Sequence, residues 1–100
     1  MIPKKLKILG HDYEIVIQDE EKSGNTDYGT HWGMINKIFL NQRVTGSQRE
    51  TTLIHEILEG INWHLKLQLK HEQIRRLECG LYQILKDNGL LDEWTDNDSS

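Results

Sequence analysis

The spacing of apolar residues changes near residue 47, and this change limits the folds that the chain can adopt. In the first part, apolar side chains recur at alternate positions, as at Tyr13, Ile15 and Ile17. In the second part, they recur at intervals of three or four, as at Leu53 and Ile57. Alternation is typical of half-buried strands, and the longer interval is typical of one helix face. The sequence therefore predicts strands followed by helices.

The first part is predicted to hold three or four short strands. The segment "KKLKILGHDYEIVIQ" contains two alternating runs joined by the turn-forming residues 10–12, which predicts a hairpin. A second pair of strands is predicted around a turn at Asn36 and Lys37, with Met34 before the turn and Ile38–Leu40 after it. Because the connections are short, we expect antiparallel pairing.

Two helices are predicted after the strands. Ser47 followed by Glu50 has the spacing of a capping box, in which each residue bonds to the other's backbone amide. This places a motif helix over residues 48–66. A C-terminal helix is predicted over residues 71–88, ending near Gly89. Its apolar residues are expected to face the core: Ile74, Leu77, Leu81, Ile84 and Leu85.

The chain length and these patterns together predict one small domain. One hundred residues can form a single core. We expect an α+β domain over residues 1–94, with a small antiparallel sheet of three to four strands, in the β region 4–41, packed on a two-helix hairpin. The polar segment Asp19–Asp27 is predicted to be an exposed loop, and residues 95–100 a flexible tail.

Charge and composition exclude several classes of function. The net charge is −4 and there is no long basic run, so nucleic acid is not an expected partner. No apolar stretch has the length of a signal peptide or a membrane span, so no membrane association is expected. Cys79 is the only cysteine, which excludes a disulfide within the chain and suits a reducing compartment. We therefore expect a cytoplasmic protein whose partner or substrate is a peptide or protein.

The segment "LIHEILEGINWHLKLQLKHEQ" carries the candidate chemistry. His55 and Glu59 are four residues apart, so they lie one turn apart on the same helix face and can reach one cation. His64 is about 180° around that helix and cannot join them. His71, at the start of the next helix, can join them if the two helices fold back as a hairpin. Two imidazoles and one carboxylate suit a zinc ion, and also other divalent transition metals.

Glu56 is the candidate general base. It is offset by about 100° from His55, which directs it to a water beside the metal and away from the metal itself. In this mechanism Glu56 takes the proton as water attacks a carbonyl, and then passes the proton to the leaving amine. The strand "KIFL", residues 37–40, is expected to lie at the cleft edge and to pair with an extended peptide.

Three segments resemble a family of small bacterial and phage-derived zincin-like metallopeptidases. These are "HEILEG", "HEQI" and "GLYQILKDN", and the opening "IPKKLKILGHDYEI" is also similar. The resemblance covers most of the chain and is densest over residues 51–88. It implies a reduced zincin-like fold with His55, Glu59 and His71 as metal ligands and Glu56 as the base. Gly60 departs from the family pattern, where alanine is more common, and we expect this to affect helix stability but not ligation.

Other interpretations of these residues stay open. Glu59 alone is compatible with a solvated helix face, and His71 with a helix start that has no ligand role. Glu72 suits either an outer partner of an imidazole or a favourable charge at the helix N-terminus. The histidines outside the motif are expected at the surface or in turns: His11, His31 and His64. Tyr82 and Trp63 are expected to be packing residues, and Cys79 is not expected to be a nucleophile.

A function of a different class also fits the sequence. The domain is alternatively a non-catalytic phage accessory module that binds another protein, with a structural metal or none. A fourth protein ligand, such as Glu72 or His31, would favour the binding module. An open position beside Glu56 would favour the hydrolase.

Overall fold

Four strands and two helices form the described part of the chain, residues 1–19 and 28–94 of a computed structural model. The strands are β1 (Lys5–Ile8), β2 (His11–Gln18), β3 (Gly29–Trp32) and β4 (Lys37–Asn41), and the helices are α1 (Gly46–Leu65) and α2 (His71–Asp87). The predicted α+β class, with a small sheet on a helical hairpin, is confirmed. The predicted tail and all of the predicted loop except Asp19 lie outside the described residues. In the described part, no helix is long and apolar enough to cross a membrane.

The sheet has the strand order β1-β2-β4-β3 and is mixed. The predicted β1–β2 hairpin is antiparallel, and so is the β3–β4 pair. The central strands β2 and β4 are parallel, with Ile15 opposite Ile38 and Ile17 opposite Leu40. The prediction of a wholly antiparallel sheet was therefore wrong for this pair. The chain forms β3 on the far side of β4 before it enters β4, and this long connection makes parallel pairing possible.

The turn between β3 and β4 differs from the prediction in its position. Gly33–Ile35 form one turn of 3-10 helix, and Asn36 follows in the left-handed conformation with φ 52°. Asparagine tolerates this conformation better than most residues. Met34 therefore lies in the turn, where it is 91% exposed, and β4 begins directly at Lys37.

The core lies between the sheet and α1. Its buried members are Ile2, Ile8, Tyr13, Ile15, Ile38, Leu40 and Leu53. Alternate residues of β2 and β4 point into this core, as the period of two requires. α2 packs mainly on α1, so α1 contacts the sheet and the second helix. Because α1 is held by contacts with both, the positions of the motif residues on it are well defined.

The start of α1 does not use the predicted capping box. The helix begins at Gly46, and Thr45 precedes it without a side-chain cap. Ser47 lies inside the helix. Glu50 is 4% exposed and accepts hydrogen bonds from the Tyr82 hydroxyl at 2.8 Å and from Lys86 Nζ at 3.1 Å. The predicted capping box was therefore wrong. Ser47 is not the residue before the helix, and the Glu50 side chain bonds to α2.

α2 buries less of its apolar face than predicted. Ile74 is 1% exposed, but Leu77, Leu81 and Ile84, here called the α2 stripe, are 48%, 38% and 60% exposed. Polar side chains occupy much of the face toward α1, since Glu78 contacts His55 and Tyr82 contacts Glu50. The predicted core-facing role is therefore confirmed for Ile74 and wrong for the α2 stripe. α2 ends at Asp87, and Gly89 follows at φ 70°, as a helix stop requires.

Candidate metal centre

The fold brings the three predicted ligands together. His55 and Glu59 lie one turn apart on α1, and His71 is the first residue of α2. Glu59 Oε2 is 3.4 Å from His55 Nε2 and 3.8 Å from His71 Nδ1. One ligand atom from each residue lies within 4.8 Å of the others, and no other group of histidine, cysteine and acidic residues in the described ranges does this.

These separations are compatible with a bound zinc ion. Zinc–ligand bonds of roughly 2.0–2.2 Å in a tetrahedron place neighbouring ligand atoms about 3.3–3.6 Å apart. The His55–Glu59 separation of 3.4 Å lies in this range, and the Glu59–His71 separation of 3.8 Å exceeds it by a few tenths of an ångström. Three protein ligands in a tetrahedral site also leave one position for water or substrate.

The connection between the helices directs His71 back toward α1. Lys66 and Gln68 both adopt the left-handed conformation, with φ of 52° and 61°. The Asn62 side chain accepts a hydrogen bond from the Leu69 amide at 2.9 Å and donates to the Leu69 carbonyl at 3.5 Å. A side chain of α1 therefore holds the connection in place immediately before the third ligand.

Glu78 is a residue of the candidate centre that was not predicted from the sequence. Its Oε1 lies 2.7 Å from His55 Nδ1. A proton on Nδ1 would donate to this carboxylate and leave the Nε2 lone pair free for a metal. Carboxylates commonly orient metal-binding histidines in this way. The signal was present, because Glu78 lies seven residues after His71 and therefore on nearly the same face of α2.

His71 is the most exposed of the three ligands, with 62% of its side chain accessible. Arg75 Nε donates to its Nε2 at 3.2 Å, which requires the proton of a neutral ring to be on Nδ1. A metal bound at Nδ1 would require the other tautomer. Metal binding therefore requires Arg75, an exposed residue, to break this hydrogen bond.

Glu56 lies beside the three ligands but is not one of them. It is 6% exposed and lies where α1 faces β3. A Cβ atom at Gly29 would lie 3.3 Å from Glu56 Oε2 and 2.8 Å from Thr52 Cγ2. Because Gly29 has no side chain, the strand can approach the helix closely at the predicted base.

An open cleft of about 1010 Å³ lies over these residues. Its walls come from β3, α1 and α2, including His31, Trp63 and Cys79. The prediction that "KIFL" borders the cleft was wrong, because β4 is flanked by β2 on one side and β3 on the other. β3 forms the sheet edge beside the cleft.

The backbone of β3 has hydrogen-bonding groups directed away from the sheet. The Asn41 amide donates to the Tyr28 carbonyl at 2.9 Å, so Tyr28 and Asn41 form a hydrogen-bonded pair. In an antiparallel ladder such pairs alternate with non-bonded pairs. The alternation directs the N–H and C=O groups of Gly29 and His31 away from β4, toward the open edge.

The histidines outside the motif form a second cluster around Tyr13. The Tyr13 hydroxyl is 2.7 Å from His31 Nε2 and 2.7 Å from His64 Nε2. His11 stacks on His64 with ring centroids 4.2 Å apart. His11 is exposed, as predicted, whereas His31 and His64 are half-buried and contact Tyr13, which was not predicted. No spacing along the chain predicts this cluster, because its members come from three elements, β2, β3 and α1.

The environment shifts the pKa values of His31, His64 and Tyr13 in the directions that favour their uncharged forms. Burial lowers the pKa of His31, His64 lowers it further, and Glu59 acts in the opposite direction. Burial and the neighbouring His11 lower the pKa of His64. Burial also raises the pKa of the Tyr13 hydroxyl.

In the described part of the chain, neither residue named as a possible fourth ligand belongs to the converging group. Glu72 is exposed and accepts a hydrogen bond from Arg76 at 2.6 Å. His31 Nε2 is engaged by Tyr13. Trp63, predicted to be a packing residue, is 49% exposed and contacts Gly33 at one end of the cleft.

Comparisons of the chain with models of protein families, with curated proteins and with solved structures found no match.

Proposed function

We propose that this protein is a zinc-dependent hydrolase of the peptidase type, with His55, Glu59 and His71 as metal ligands and Glu56 as general base. The observation that carries the proposal is the convergence of three ligand atoms within 4.8 Å of one another at a cleft that Glu56 also lines. The outer partner Glu78 supports the same assignment, since it directs His55 Nε2 toward Glu59.

The chain's own residues have distinct parts in this chemistry. A metal ion held by two imidazoles and one carboxylate polarises a carbonyl and makes water more acidic. Glu56 accepts the proton that water loses on attack and delivers it to the leaving amine. Its buried position beside Gly29 keeps the carboxylate close to the substrate-binding edge.

The substrate in this proposal is an extended peptide that lies along β3. The outward backbone groups of Gly29 and His31 offer the hydrogen bonds by which a peptide adds to a sheet edge. This replaces the earlier assignment of "KIFL" to that role. From the resemblance in sequence, we place the activity in the cytoplasm of a bacterial or phage-infected cell.

A non-catalytic accessory module that binds another protein is the second candidate. The exposed α2 stripe favours it, because exposed apolar side chains grouped on one helix face are common in binding surfaces. The membership of the converging group favours the hydrolase, because within the described residues neither Glu72 nor His31 belongs to it, which leaves a position for water.

The first experiment is to measure metal content by mass spectrometry in protein purified without chelator or a histidine tag. We expect about one zinc per chain, lost in His55→Ala and His71→Ala. His11→Ala is the matched control, since His11 is an exposed histidine outside the centre, and it should keep the metal. If the wild type holds no metal and takes up none on titration with zinc, the hydrolase proposal is wrong and the binding module remains.

Zinc-loaded protein can then be tested against a peptide library. We expect Glu56→Gln to retain zinc and to lose cleavage, because the amide cannot accept the proton. Cleavage that persists in Glu56→Gln would contradict the assigned base. Zinc binding without cleavage of any peptide by the wild type would favour a structural metal in the binding module.

A further inference from the structure

The Tyr13 hydroxyl has two imidazole nitrogens as its neighbours. His31 Nε2 and His64 Nε2 are each 2.7 Å from the oxygen, and Tyr13 is 1% exposed. His31 lines the cleft of the candidate centre, whereas His64 lines a separate hollow near the end of α1. Tyr13 therefore joins two histidines that belong to different surfaces.

The tautomers of the two imidazole rings depend on each other through the single hydroxyl hydrogen. The buried hydroxyl has one hydrogen, and the two Nε2 atoms are its hydrogen-bond neighbours, so it donates to one Nε2 and accepts from the other. A neutral ring that accepts at Nε2 carries its proton on Nδ1, and a ring that donates from Nε2 has a bare Nδ1. The lowered pKa values of both histidines support neutral rings at pH 7. His31 and His64 therefore adopt opposite tautomers.

The packing of His31 indicates which part of the ring faces the cleft. A Cβ atom at Gly60 would lie 3.3 Å from His31 Nε2 and 3.5 Å from Cδ2. That edge of the ring is turned toward α1 and Tyr13. Nδ1 lies on the opposite edge, and no described residue forms a hydrogen bond with it. Of the ring nitrogens, Nδ1 is the one left to meet a ligand in the cleft.

We propose that Tyr13 donates to His31 and accepts from His64, so that His31 presents Nδ1–H to the cleft as a hydrogen-bond donor for a carbonyl oxygen of the bound peptide. This choice follows from the placement of the ring, because Nε2 is turned toward Tyr13 and α1 and Nδ1 is the nitrogen on the opposite edge. A donor placed there stabilises negative charge that develops on the oxygen during attack. Tyr13 and His64 are positioning residues in this arrangement, and His11 supports His64 by stacking.

The tautomer of His31 stands independently of the proposed function, whereas its catalytic use rests on that function. Two measurements keep the two apart. The first is nitrogen-15 NMR of the histidine rings at about pH 8, above the ordinary histidine pKa of about 6.5. His31→Gln and His64→Gln assign the signals.

In the wild type, we expect the proton of His31 on Nδ1 and that of His64 on Nε2. In Tyr13→Phe, the hydroxyl is gone and the ring volume is nearly kept, so His31 should shift toward the Nε2–H form that free histidine prefers. Circular dichroism checks that this variant is folded. A wild-type His31 protonated on Nε2, or a tautomer unchanged in folded Tyr13→Phe, would overturn the proposal.

The second measurement is peptide cleavage by zinc-loaded protein. We expect His31→Ala to lower kcat/KM by roughly 100-fold with unchanged zinc content, which is the usual order for a lost oxyanion donor. Tyr13→Phe should lower kcat by a smaller factor and leave KM nearly unchanged. Cleavage unaffected by His31→Ala would overturn the donor role and leave the proposed function intact. No cleavage by the wild type would overturn both, whatever tautomer NMR finds.

Discussion

Glu78 determines which nitrogen of His55 is available to the candidate centre. Its carboxylate lies 2.7 Å from Nδ1, and Nε2 is the nitrogen nearest to Glu59. A metal site requires this tautomer, because the ligating nitrogen must have a free lone pair. In the proposed function, the Glu78 carboxylate thus favours the His55 tautomer that a metal ligand needs.

We predict that Glu78→Ala weakens zinc binding by roughly 10- to 100-fold, the usual effect of losing such a partner. Glu72→Ala is the control, since it removes an exposed glutamate from the same helix without touching the three ligands. Competition with a chromogenic chelator measures both affinities. Equal affinities in the two variants would show that Glu78 does not prepare His55.

The proximity of His55, Glu59 and His71 could be predicted because it depends only on helical spacing and one helical hairpin. His55 and Glu59 follow from a spacing of four, and a helical hairpin is enough to add His71. Glu78 could have been found by the same spacing argument applied to α2. The cluster of Tyr13, His31 and His64 could not be found, because it depends on the order of strands in the sheet and on how α1 lies across it.

α2 is a helix whose apolar spacing gives little information about burial. Ile74 is 1% exposed, whereas Ile84, three turns later, is 60% exposed. Both residues fit the same periodic pattern in the sequence. Polar contacts set which face of α2 packs on α1, since Glu78 bonds to His55 and Tyr82 bonds to Glu50.

A matched pair of substitutions tests this description of α2. We predict that Ile74→Ala lowers the free energy of unfolding by about 2–5 kcal/mol, as for a buried isoleucine. Ile84→Ala should change it by less than about 0.5 kcal/mol, as for an exposed position. Urea denaturation measures both values. A large loss in Ile84→Ala would mean that the α2 stripe is covered in solution.

The sheet shows a similar limit of prediction at the level of elements. β1 and β2 follow from their alternating patterns, and the β1–β2 hairpin follows from the turn residues between them. The parallel pairing of β2 with β4 did not follow, because it depends on where β3 is placed. The chain's local pattern determines each element, but the neighbour of each element depends on the core that all of them share.

The whole molecule should lose stability at both ends of the pH scale. The pKa values of His31 and His64 are lowered in the fold, so below about pH 6.5 the unfolded chain binds protons that the folded chain does not. Stability therefore falls as the pH decreases from there. Burial and Glu50 raise the pKa of Tyr82 to about 12. The unfolded chain loses this proton near pH 10, so stability falls as the pH rises from about 10 to 12.

We predict that two single substitutions each weaken the pH dependence of the unfolding free energy, one at low pH and one at high pH. His64→Gln should reduce the loss of unfolding free energy between about pH 6.5 and 5, because one of the two shifted imidazoles is absent. Tyr82→Phe should reduce the loss above about pH 10. Urea denaturation of metal-free protein across this range gives the slopes. Slopes identical to those of the wild type would contradict the assignment of each limb.

The two ends of the described chain meet. The Met1 nitrogen donates to the Glu93 carbonyl at 2.7 Å, and Ile2 and Trp94 pack in or against the same core. A domain whose first and last described residues lie close together can be inserted into a surface loop of a host protein. It can equally be circularised and reopened at another position, as long as the new break spares the connection between α1 and α2.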